Sequence, residues 1–460
     1  MPSDAAITLP TPVIKLPTEL GALDSDAFSG SVAHQKKAHR VIPGGAHTYA
    51  KGDDQMPEAA PLVVERGLGC RVWDVDGNSF VEYGMGLRAV TLGHAEPRVT
   101  AAAMRALEGG TNFTRPAAVE LRAAEAFLGL IDGAEMVKFC KDGSNATTAA
   151  AKLARAATGR DKIALCASHP FLSQDDWFIG ATPMDAGIPQ AVKDLTVRFP
   201  YGDASALEAL FALHPDEIAC VIMEPARGVE DATHYLLEVQ RICREHGAVL
   251  VFDEMLTGFR WHLKGAQHLY GVTPDLSTFG KAMANGFSVS ALAGRRDLME
   301  RGGLHTEYER VFLLSGTHGA ETHGLAAAIE TMRIYAEEDV VGTLYRQGAR
   351  LRDGVNQHIN RLGLSKQFAV LGRDCNLVFA TRDADGLPSQ PFRTLFLQEL
   401  IRRGILAPSF VVSAAHDNDA IDQTIESVGE ALEVYRDALD GDVNQFLSGR
   451  PVKPVFRRYV

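Results

Sequence analysis

The sequence predicts an α/β fold built on one large, mostly parallel β-sheet. Short apolar runs bounded by polar or turn residues alternate with amphipathic helical patterns, and this alternation is typical of β-α-β units. Open sheets of this kind bind ligands at the carboxyl ends of their strands. The residues that follow each run are therefore the first candidates for a functional site. The runs that predict seven strands of the sheet are AEMVKFCKD, DKIALCAS, EIACVIMEP, GAVLVFDEM, DLSTFGK, SVSALAG and RVFLLSG.

The segments around these strands predict helices and one hairpin. In HYLLEVQRICREHG, the residues Leu236, Val239, Ile242 and Cys243 fall on one helical face, and the following glycine is expected to end the helix. GCRVWDVDGNSFVEYG predicts a hairpin that turns at residues 76–77. A long helical stretch follows THGAETHG, and after it CNLVFATR and the polar helix AIDQTIESVGEALEVYRDAL predict a second, smaller domain.

The composition indicates small-molecule chemistry in a reducing compartment. The 460-residue chain has a net charge of -12 and no basic block interleaved with aromatics, which argues against nucleic-acid binding. The six cysteines form no C-x-x-C pair, and THGAETHG breaks the H-x-x-E-H zinc pattern, so we expect no disulfide framework and no metal site. No signal peptide or membrane-spanning segment is recognised, which predicts a cytoplasmic protein.

Two ionisable residues follow neighbouring predicted strands. In AVLVFDEM, Asp253 lies at the end of the predicted strand. The stretch Leu276–Gly294 carries a single charged residue, Lys281, directly after a glycine. A lysine packed among apolar side chains has its ammonium form disfavoured by desolvation and is available as an amine nucleophile. For an isolated lysine, a side chain that reaches solvent is the alternative interpretation.

A third feature predicts an anion site. The strand MVKFCKD is followed by Gly143, Ser144 and Asn145, which open an alanine-rich helix and present N–H groups and a hydroxyl to an anion such as phosphate. A plain helix cap is the alternative. An anion site, a strand-end acid and an amine on the next turn are together what pyridoxal 5′-phosphate (PLP) requires: a phosphate anchor, a partner for the pyridine nitrogen and a Schiff-base lysine.

Longer motifs surround these residues. VFDEMLTGFR is followed by YGVTPDLSTFGKAMANGF, and the pattern extends through IPGGAHTYAKG, WDVDGNSFVEYG, LGHAEPRV, FCKDGSNATTAAAKLARAATGRDKI, IMEP, SGTHGAETHGLAAA and APSFVVSAAHDNDAIDQTIE. These segments, over residues 38–435, resemble the class III aminotransferases, and most closely their glutamate-1-semialdehyde 2,1-aminomutase branch. The resemblance implies fold type I, with a large PLP-binding domain, a smaller α+β domain formed by both chain ends, and a homodimer with active sites at the subunit interface.

The resemblance also implies domain boundaries. We expect an N-terminal arm over residues 1–35 and the N-terminal part of the small domain over 36–95. The large PLP-binding domain is expected over 96–335, and the C-terminal part of the small domain over 336–460.

Matched by position, Lys281 resembles the family's Schiff-base lysine, and Asp253 resembles the partner of the pyridine nitrogen. Met255 stands where a Val or Met side chain packs on the cofactor ring. Gly143 and Ser144 match the family's Gly-Thr phosphate loop.

Three further cofactor contacts are implied by the resemblance. Thr317 in SGTHG resembles a threonine that the other subunit donates to the phosphate. In the family, the aromatic residue that stacks on the cofactor lies in a Tyr-His-Gly triplet. The corresponding segment of this chain is ASHPFLSQDDWF, which lacks the triplet; Phe171 is the preferred match and His169 the alternative. Glu224 falls in the family's Glu-Pro motif, near the substrate and cofactor.

The expected substrate residues differ from those of the aminomutase. Thr48 and Lys51 stand where the aminomutase holds the substrate carboxylate with Ser and Arg, and Lys lacks the bidentate fork of Arg. The aminomutase tryptophan corresponds to Leu87, beside Arg88. We therefore expect Thr48, Lys51 and Arg88 to contact a different substrate.

The leading hypothesis is a PLP-dependent aminotransferase that moves an amino group between a small-molecule donor and a carbonyl acceptor. An intramolecular aminomutase of the glutamate-1-semialdehyde type is the main alternative. A PLP decarboxylase or racemase on the same fold, and a binding protein without catalysis, are further alternatives. The sequence does not identify the donor or the acceptor.

Overall fold

A computed structural model describes residues 25–167, 169–228 and 230–459. The strands are β1 (Val64–Leu68), β2 (Arg71–Asp74), β3 (Ser79–Glu82), β4 (Met136–Cys140), β5 (Lys162–Cys166), β6 (Thr196–Phe199), β7 (Ile218–Met223), β8 (Val249–Asp253), β9 (Leu276–Phe279), β10 (Ser290–Gly294), β11 (Phe368–Leu371), β12 (Val378–Thr381) and β13 (Ile405–Leu406).

The helices alternate with these strands along the chain. They are α1 (Ser29–Ala38), α2 (Met85–Arg88), α3 (Pro97–Glu108), α4 (Ala118–Leu128), α5 (Gly143–Thr158), α6 (Asp176–Ile179), α7 (Gln190–Lys193), α8 (Ala204–Leu213), α9 (Thr233–Glu245), α10 (Ala266–Leu269), α11 (Arg296–Met299), α12 (Thr322–Glu337), α13 (Val340–Leu362), α14 (Gln390–Arg402) and α15 (Asn418–Leu439).

The largest sheet has seven strands in the order β4-β10-β9-β8-β7-β5-β6. The strands from β9 to β6 pair in parallel, whereas β10 runs antiparallel to β4 and β9. Both faces of β7 are buried: Val221 packs in one apolar cluster with residues of α9, and Ile222 packs in another with residues of α5. The predicted α/β fold with a seven-stranded, mostly parallel sheet is confirmed.

One strand of this sheet differs from the prediction. RVFLLSG, residues 310–316, is not a strand, so that assignment was wrong. Its Phe312 side chain is 71% exposed, and Leu314 has a φ of 48°, which interrupts an extended backbone. The seventh strand is instead β6, TVRF, at the edge of the sheet. Because Arg198 of β6 is exposed and the strand is short, its sequence lacks the apolar run that marked the others.

A smaller sheet, in the order β1-β2-β3-β13, joins the two parts of the chain that flank the large sheet. Its last strand, β13, pairs in parallel with β3. Strands β2 and β3 form the predicted hairpin, and Gly77 at the turn has a φ of 89°, which glycine adopts readily. Strands β11 and β12 form a separate antiparallel pair.

The helical predictions are confirmed with one refinement. Helix α9 buries the predicted apolar face, and α15 covers the predicted polar helix near the C-terminus. The long helical stretch divides into α12 and α13, because Asp339 caps the second helix by accepting the N–H of Gly342 at 3.0 Å.

Part of the predicted N-terminal arm, residues 1–24, lies outside the described residues. Helix α1 continues past residue 35, the expected end of the arm. In the described ranges, no helix has both the length and the apolar character needed to cross a membrane.

Candidate active site

Three neighbouring strands of the large sheet place ionisable residues at one edge. Glu224 follows β7 directly, Asp253 is the last residue of β8, and Lys281 follows β9 after one glycine. Because these strands are parallel neighbours, their carboxyl ends lie at the same edge. The three side chains are close enough for both carboxylates to act on the pKa of the lysine. The structure therefore brings together three of the predicted site residues.

Asp253 is a buried carboxylate with one oxygen held by the protein. Its Oδ1 accepts hydrogen bonds from the backbone N–H of Met255 and from the hydroxyl of Thr278, both at 3.0 Å. Its Oδ2 receives no hydrogen bond from the residues that the structure describes. Burial raises the pKa of Asp253 to about 6, and the charge of Lys281 opposes this rise. Thr278 was not predicted as a site residue, because the sequence shows it only as one of two polar residues in the strand LSTF.

Lys281 opens a 3-10 turn, Lys281–Ala284, and has a φ of 41° in the left-handed region. A Cβ on the preceding residue, Gly280, would lie 2.5 Å from Oγ of Ser290 and 2.7 Å from Sδ of Met255, so only glycine fits there. Burial lowers the pKa of Lys281, and the two neighbouring carboxylates oppose this change. Desolvation therefore favours the neutral amine relative to an exposed lysine.

Helix α5 begins at Gly143, as predicted, and its N-terminus lies beside the end of β8. A Cβ on Gly143 would lie 3.0 Å from Sδ of Met255. The helix cap is Asp142, which was not predicted from the sequence; its Oδ1 accepts the N–H of Asn145 at 2.9 Å. The N–H groups of Gly143 and Ser144 form no hydrogen bond with the described residues. These two donors are available for an anion.

The two candidate stacking residues have different surroundings. His169 is buried, and its Nδ1 accepts the backbone N–H of Glu224 at 3.2 Å, whereas its Nε2 has no partner among the described residues. Burial, assisted by Arg227, lowers the pKa of His169 to about 3, so the ring is neutral. Phe171 is 47% exposed and packs edge-on against Phe178, with ring centroids 5.7 Å apart.

Glu224 is the second buried carboxyl group of the site. Burial, followed by the charge of Asp253, raises the pKa of Glu224 to about 8, while Lys281, Arg227 and Arg88 oppose the rise. Its carboxyl group therefore binds a proton at a pH where an exposed glutamate is ionised.

Among the described residues, no group of three His, Cys, Asp or Glu side chains is placed to hold a metal ion.

Arg88 reaches the site from a strained turn. All four residues of α2, Met85–Arg88, have positive φ angles, of 43°, 59°, 58° and 73° in chain order. Each of its three non-glycine residues costs roughly 1–2 kcal/mol in this conformation. Nε of Arg88 donates a hydrogen bond to Oδ1 of Asn376 at 3.0 Å. Burial, followed by the charge of Arg260, lowers the pKa of Arg88 to about 10, while Glu224 opposes the change.

Arg260, the arginine of the TGFR motif, fixes the backbone of this turn. It is fully buried and donates hydrogen bonds to the carbonyl oxygens of Cys375 at 3.0 Å, Val412 at 3.2 Å and Arg88 at 3.3 Å. It also donates to the hydroxyl of Thr91 at 3.0 Å. The motif contributed to the family resemblance, but nothing in the sequence indicated which carbonyl groups the arginine would contact.

Three further predicted residues are exposed. Thr48 precedes the 3-10 turn Tyr49–Lys51, of which Lys51 is the last residue, and both are exposed. Thr317 is also exposed, and its carbonyl oxygen accepts a hydrogen bond from Nδ2 of Asn112 at 2.8 Å. In the described part of the chain, no hydrogen bond or ion pair joins these three residues to Lys281.

Solved structures with the same architecture include several transaminases. The PLP form of the FumI protein from Sphingopyxis sp. MTA144 has a TM-score of 0.81 and 29% identity, covering 92% of this chain and 98% of that one. An omega-transaminase from Sphaerobacter thermophilus has a TM-score of 0.77 and 27% identity, covering 91% of this chain and 99% of that one.

Sequence comparison points to the same group of enzymes. A glutamate-1-semialdehyde 2,1-aminomutase of Methanothrix thermoacetophila is 32% identical over 434 residues, covering 88% of this chain and 96% of the relative. The protein of that name from Persephonella marina is 30% identical over 420 residues, covering 86% and 97%. The family model for class-III aminotransferases matches residues 49–372. With this match and the strand-end arrangement of Lys281 and Asp253, the chain belongs to the class-III aminotransferase family.

Proposed function

We propose that this protein is a PLP-dependent aminotransferase, which moves an amino group from a small-molecule donor to a carbonyl acceptor. The observation that carries the proposal is the convergence of Lys281, Asp253 and the N-terminus of α5 at one edge of the sheet. A desolvated amine, a buried carboxylate and free helix N–H groups complement an aldehyde, a pyridine nitrogen and a phosphate. Membership of the class-III family supports the same assignment.

The hydrogen-bonding groups that remain open in the site fit PLP. Among the described residues nothing occupies Oδ2 of Asp253, which can accept the N–H of a pyridinium ring, or the N–H groups of Gly143 and Ser144, which can bind the phosphate. The buried Nε2 of His169 lacks an acceptor among the described residues, so its N–H is open to a polar group of the cofactor; this supports His169, not the half-exposed Phe171, as the residue beside the cofactor. When bound, PLP supplies an aldehyde and an electron-withdrawing ring.

The side chains around the cofactor would each have a separate role in binding or proton transfer. Lys281, whose pKa is lowered by burial, would hold the aldehyde of PLP through Nζ and would accept and return a proton during the amino transfer. Asp253 keeps a proton on the pyridine nitrogen, and the hydrogen bond from Thr278 holds Oδ2 in the orientation for this contact. Met255, which lies between Gly143 and Gly280, would pack against the ring.

An intramolecular aminomutase is the second candidate, because relatives of 30–32% identity carry that name. Thr48 and Lys51 stand where the aminomutase holds the substrate carboxylate with Ser and Arg, and Lys lacks the bidentate fork of Arg, which favours the aminotransferase. A donor labelled with 15N decides between them. An aminotransferase releases keto product from the donor alone and passes the label to the acceptor, whereas an aminomutase retains the label in one rearranged molecule.

We further propose a homodimer that acts in the cytoplasm. The exposed position of Thr317 supports a contact with the phosphate bound to the other subunit. The six cysteines are buried and spread along the chain without a C-x-x-C pair, which supports a reducing compartment.

Replacement of Lys281 tests the proposed function. The purified protein should be yellow from bound PLP, and Lys281→Ala should lower turnover by on the order of a thousandfold or more while PLP still binds through the α5 N-terminus. Lys152→Ala, which removes an exposed lysine of α5, serves as the control. Absorbance spectra and release of keto product from a set of amine donors give the readout. Full activity of Lys281→Ala would refute the assignment.

A further inference from the structure

We propose that residues 447–458, here called the strap, are a positioning element of the active site: they hold the loop 48–58, from which Thr48 and Lys51 contact the substrate. This inference rests on the proposed aminotransferase function and deepens it, because it names the segment that orders the loop with the expected substrate residues. It follows from the contacts that the strap makes with this loop and with two other parts of the molecule.

The loop 48–58 contains little regular structure. It forms two short 3-10 turns, Tyr49–Lys51 and Asp53–Gln55, and every residue of both turns is exposed or half-buried. At the side of α1, Nε2 of His39 lies 3.0 Å from Oδ2 of Asp53. A segment with few buried side chains opens readily unless other parts of the chain hold it.

The strap supplies contacts to the second half of this loop. Nη2 of Arg457 donates a hydrogen bond to Oδ2 of Asp54 at 2.6 Å, and these side chains are only 24% and 26% exposed. The backbone N–H of Lys453 donates to the carbonyl oxygen of Asp54 at 3.0 Å, and Nη2 of Arg450 donates to that of Asp53, also at 3.0 Å. The two arginines lie 403 and 397 positions from their partners, so only the folded chain brings them together.

The strap is itself anchored at two separate places. Val452 is buried, and its N–H donates to Oγ1 of Thr394 on α14 at 2.8 Å. The N–H of Ser448 donates to Oε1 of Gln398, also on α14, at 2.7 Å. Further along, Phe456 packs against the apolar cluster that includes residues of α5 and β5. The loop is therefore tied through the strap to α14 and to the large sheet.

The strap and the loop carry opposite charges. Nε of Arg450 lies 3.8 Å from Oε1 of Glu58, which adds a second ion pair to the one between Arg457 and Asp54. Substitution of the two arginines therefore weakens the contact without removing an apolar side chain from a core. The charged residues are Arg450, Lys453, Arg457 and Arg458 in the strap, and Asp53, Asp54 and Glu58 in residues 52–58.

The strap binds the loop next to the residues expected to meet the substrate. Thr48 and Lys51 are exposed, and Lys51 precedes Asp53, the first residue that the strap contacts, by two positions. A displacement of about 1 Å in a binding group can lower a rate on the order of a hundredfold. Release of the strap would let Lys51 move and weaken substrate binding. Lys281 and the N-terminus of α5, which we expect to bind the cofactor, are instead carried by the large sheet.

Trypsin cleavage and steady-state kinetics of the holoenzyme test this inference. In a double variant that combines Arg450→Gln with Arg457→Gln, we expect trypsin to cut after Lys51 about tenfold faster than in the wild type, because the loop opens more often. KM for the amino donor should rise about 3- to 10-fold, with kcat little changed and the PLP absorbance retained. The donors are L-alanine, 4-aminobutanoate and 1-phenylethylamine, with pyruvate as acceptor, and KM is compared for the donor that the wild type uses best.

Three further variants separate the strap contact from a general loss of stability. Arg450→Lys combined with Arg457→Lys keeps both charges and should retain most of the protection from trypsin. Arg457→Asp places two carboxylates together and should speed cleavage, and the addition of Asp54→Arg should reverse part of that change. Arg350→Gln removes an exposed arginine that donates to Asp422 at 2.7 Å and should behave as the wild type.

The cleavage measurement separates this inference from the proposed function, because it does not depend on turnover. Equal cleavage after Lys51 in the wild type and the double glutamine variant would overturn the inference. Faster cleavage with an unchanged KM would overturn it as well, because the position of the loop would then not matter to the substrate. If none of the donors reacts with the wild type, the aminotransferase function is refuted, whereas faster cleavage in the double variant still supports the strap as the segment that holds the loop.

Discussion

Nδ1 of His169 accepts a hydrogen bond from the backbone N–H of Glu224 at 3.2 Å, and this contact joins the loop after β5 to the end of β7. Because Nδ1 is the acceptor, the proton of the neutral imidazole resides on Nε2. That N–H is buried without an acceptor among the described residues. The hydrogen bond at Nδ1 fixes the orientation of the ring and leaves the N–H at Nε2 available to a ligand.

The first prediction compares the two candidate stacking residues. We expect His169→Ala to weaken PLP binding about tenfold, because the fixed ring and its open N–H are lost. Phe171→Ala, which removes a half-exposed ring that packs on Phe178, should change the affinity less than about twofold. Equilibrium titration of the cofactor-free variants with PLP measures both. A larger loss for Phe171→Ala would assign the stacking role to Phe171 instead.

The second prediction concerns Asp142. Its carboxylate caps α5 at the N-terminus where we place the phosphate, so the two negative charges repel each other. We expect Asp142→Ser, which keeps a capping oxygen, to slow PLP dissociation several-fold. Asp203→Ser makes the same change at the cap of α8, where Asp203 accepts the N–H of Ala206 at 2.9 Å, and should leave dissociation unchanged. Faster PLP loss from Asp142→Ser would show that the carboxylate supports the site.

The third prediction uses the pKa of Glu224, which burial raises from 4.5 to about 8. The folded chain binds this proton more tightly than the unfolded chain, so the associated stability is present below about pH 4.5 and is lost as the pH rises through about 8. Cofactor-free Glu224→Gln should therefore lose less stability than the parent between about pH 5 and about pH 8. Urea unfolding at both pH values measures the difference.

The control for this measurement is Glu108→Gln, which replaces an exposed carboxylate at the end of α3 with the same change of charge. It should show the pH dependence of the parent. If Glu224→Gln and the parent lose the same stability over this range, the carboxyl group of Glu224 does not retain its proton in the folded protein.

The sequence identified the centre of the site because strand-end positions can be read from apolar runs. Asp253 ends a strand of the large sheet, and Lys281 and Gly143 follow two others, so the edge at which they meet was predictable. Their motifs also carried the family resemblance. The strand predicted at residues 310–316 was wrong, because apolar composition alone does not reveal the left-handed φ of Leu314.

The residues that support the centre depend on contacts between distant segments. Arg260 binds the carbonyl oxygens of Cys375 and Arg88, which are 115 and 172 positions away. Likewise, the hydroxyl of Thr278 reaches Asp253 across two neighbouring strands. No local pattern encodes these pairings. The left-handed conformation of Met85–Arg88 contradicts local preferences for its three non-glycine residues, so only the assembled structure could reveal it.

The last prediction concerns an active site shared between subunits. Thr317 is exposed, and we expect its hydroxyl to complete the phosphate site of the other subunit. Lys281→Ala should be inactive, and Thr317→Ala should bind PLP poorly and be inactive when PLP is limiting. In a mixed dimer, one site collects both changes, while the other has an intact lysine and an intact threonine. Activity should therefore reappear after subunit exchange and approach half that of the wild type per mixed dimer, because one of its two sites is whole. Subunit exchange is verified with two differently tagged proteins. A monomeric protein, or verified exchange without recovered activity, would show that Thr317 does not serve the neighbouring site.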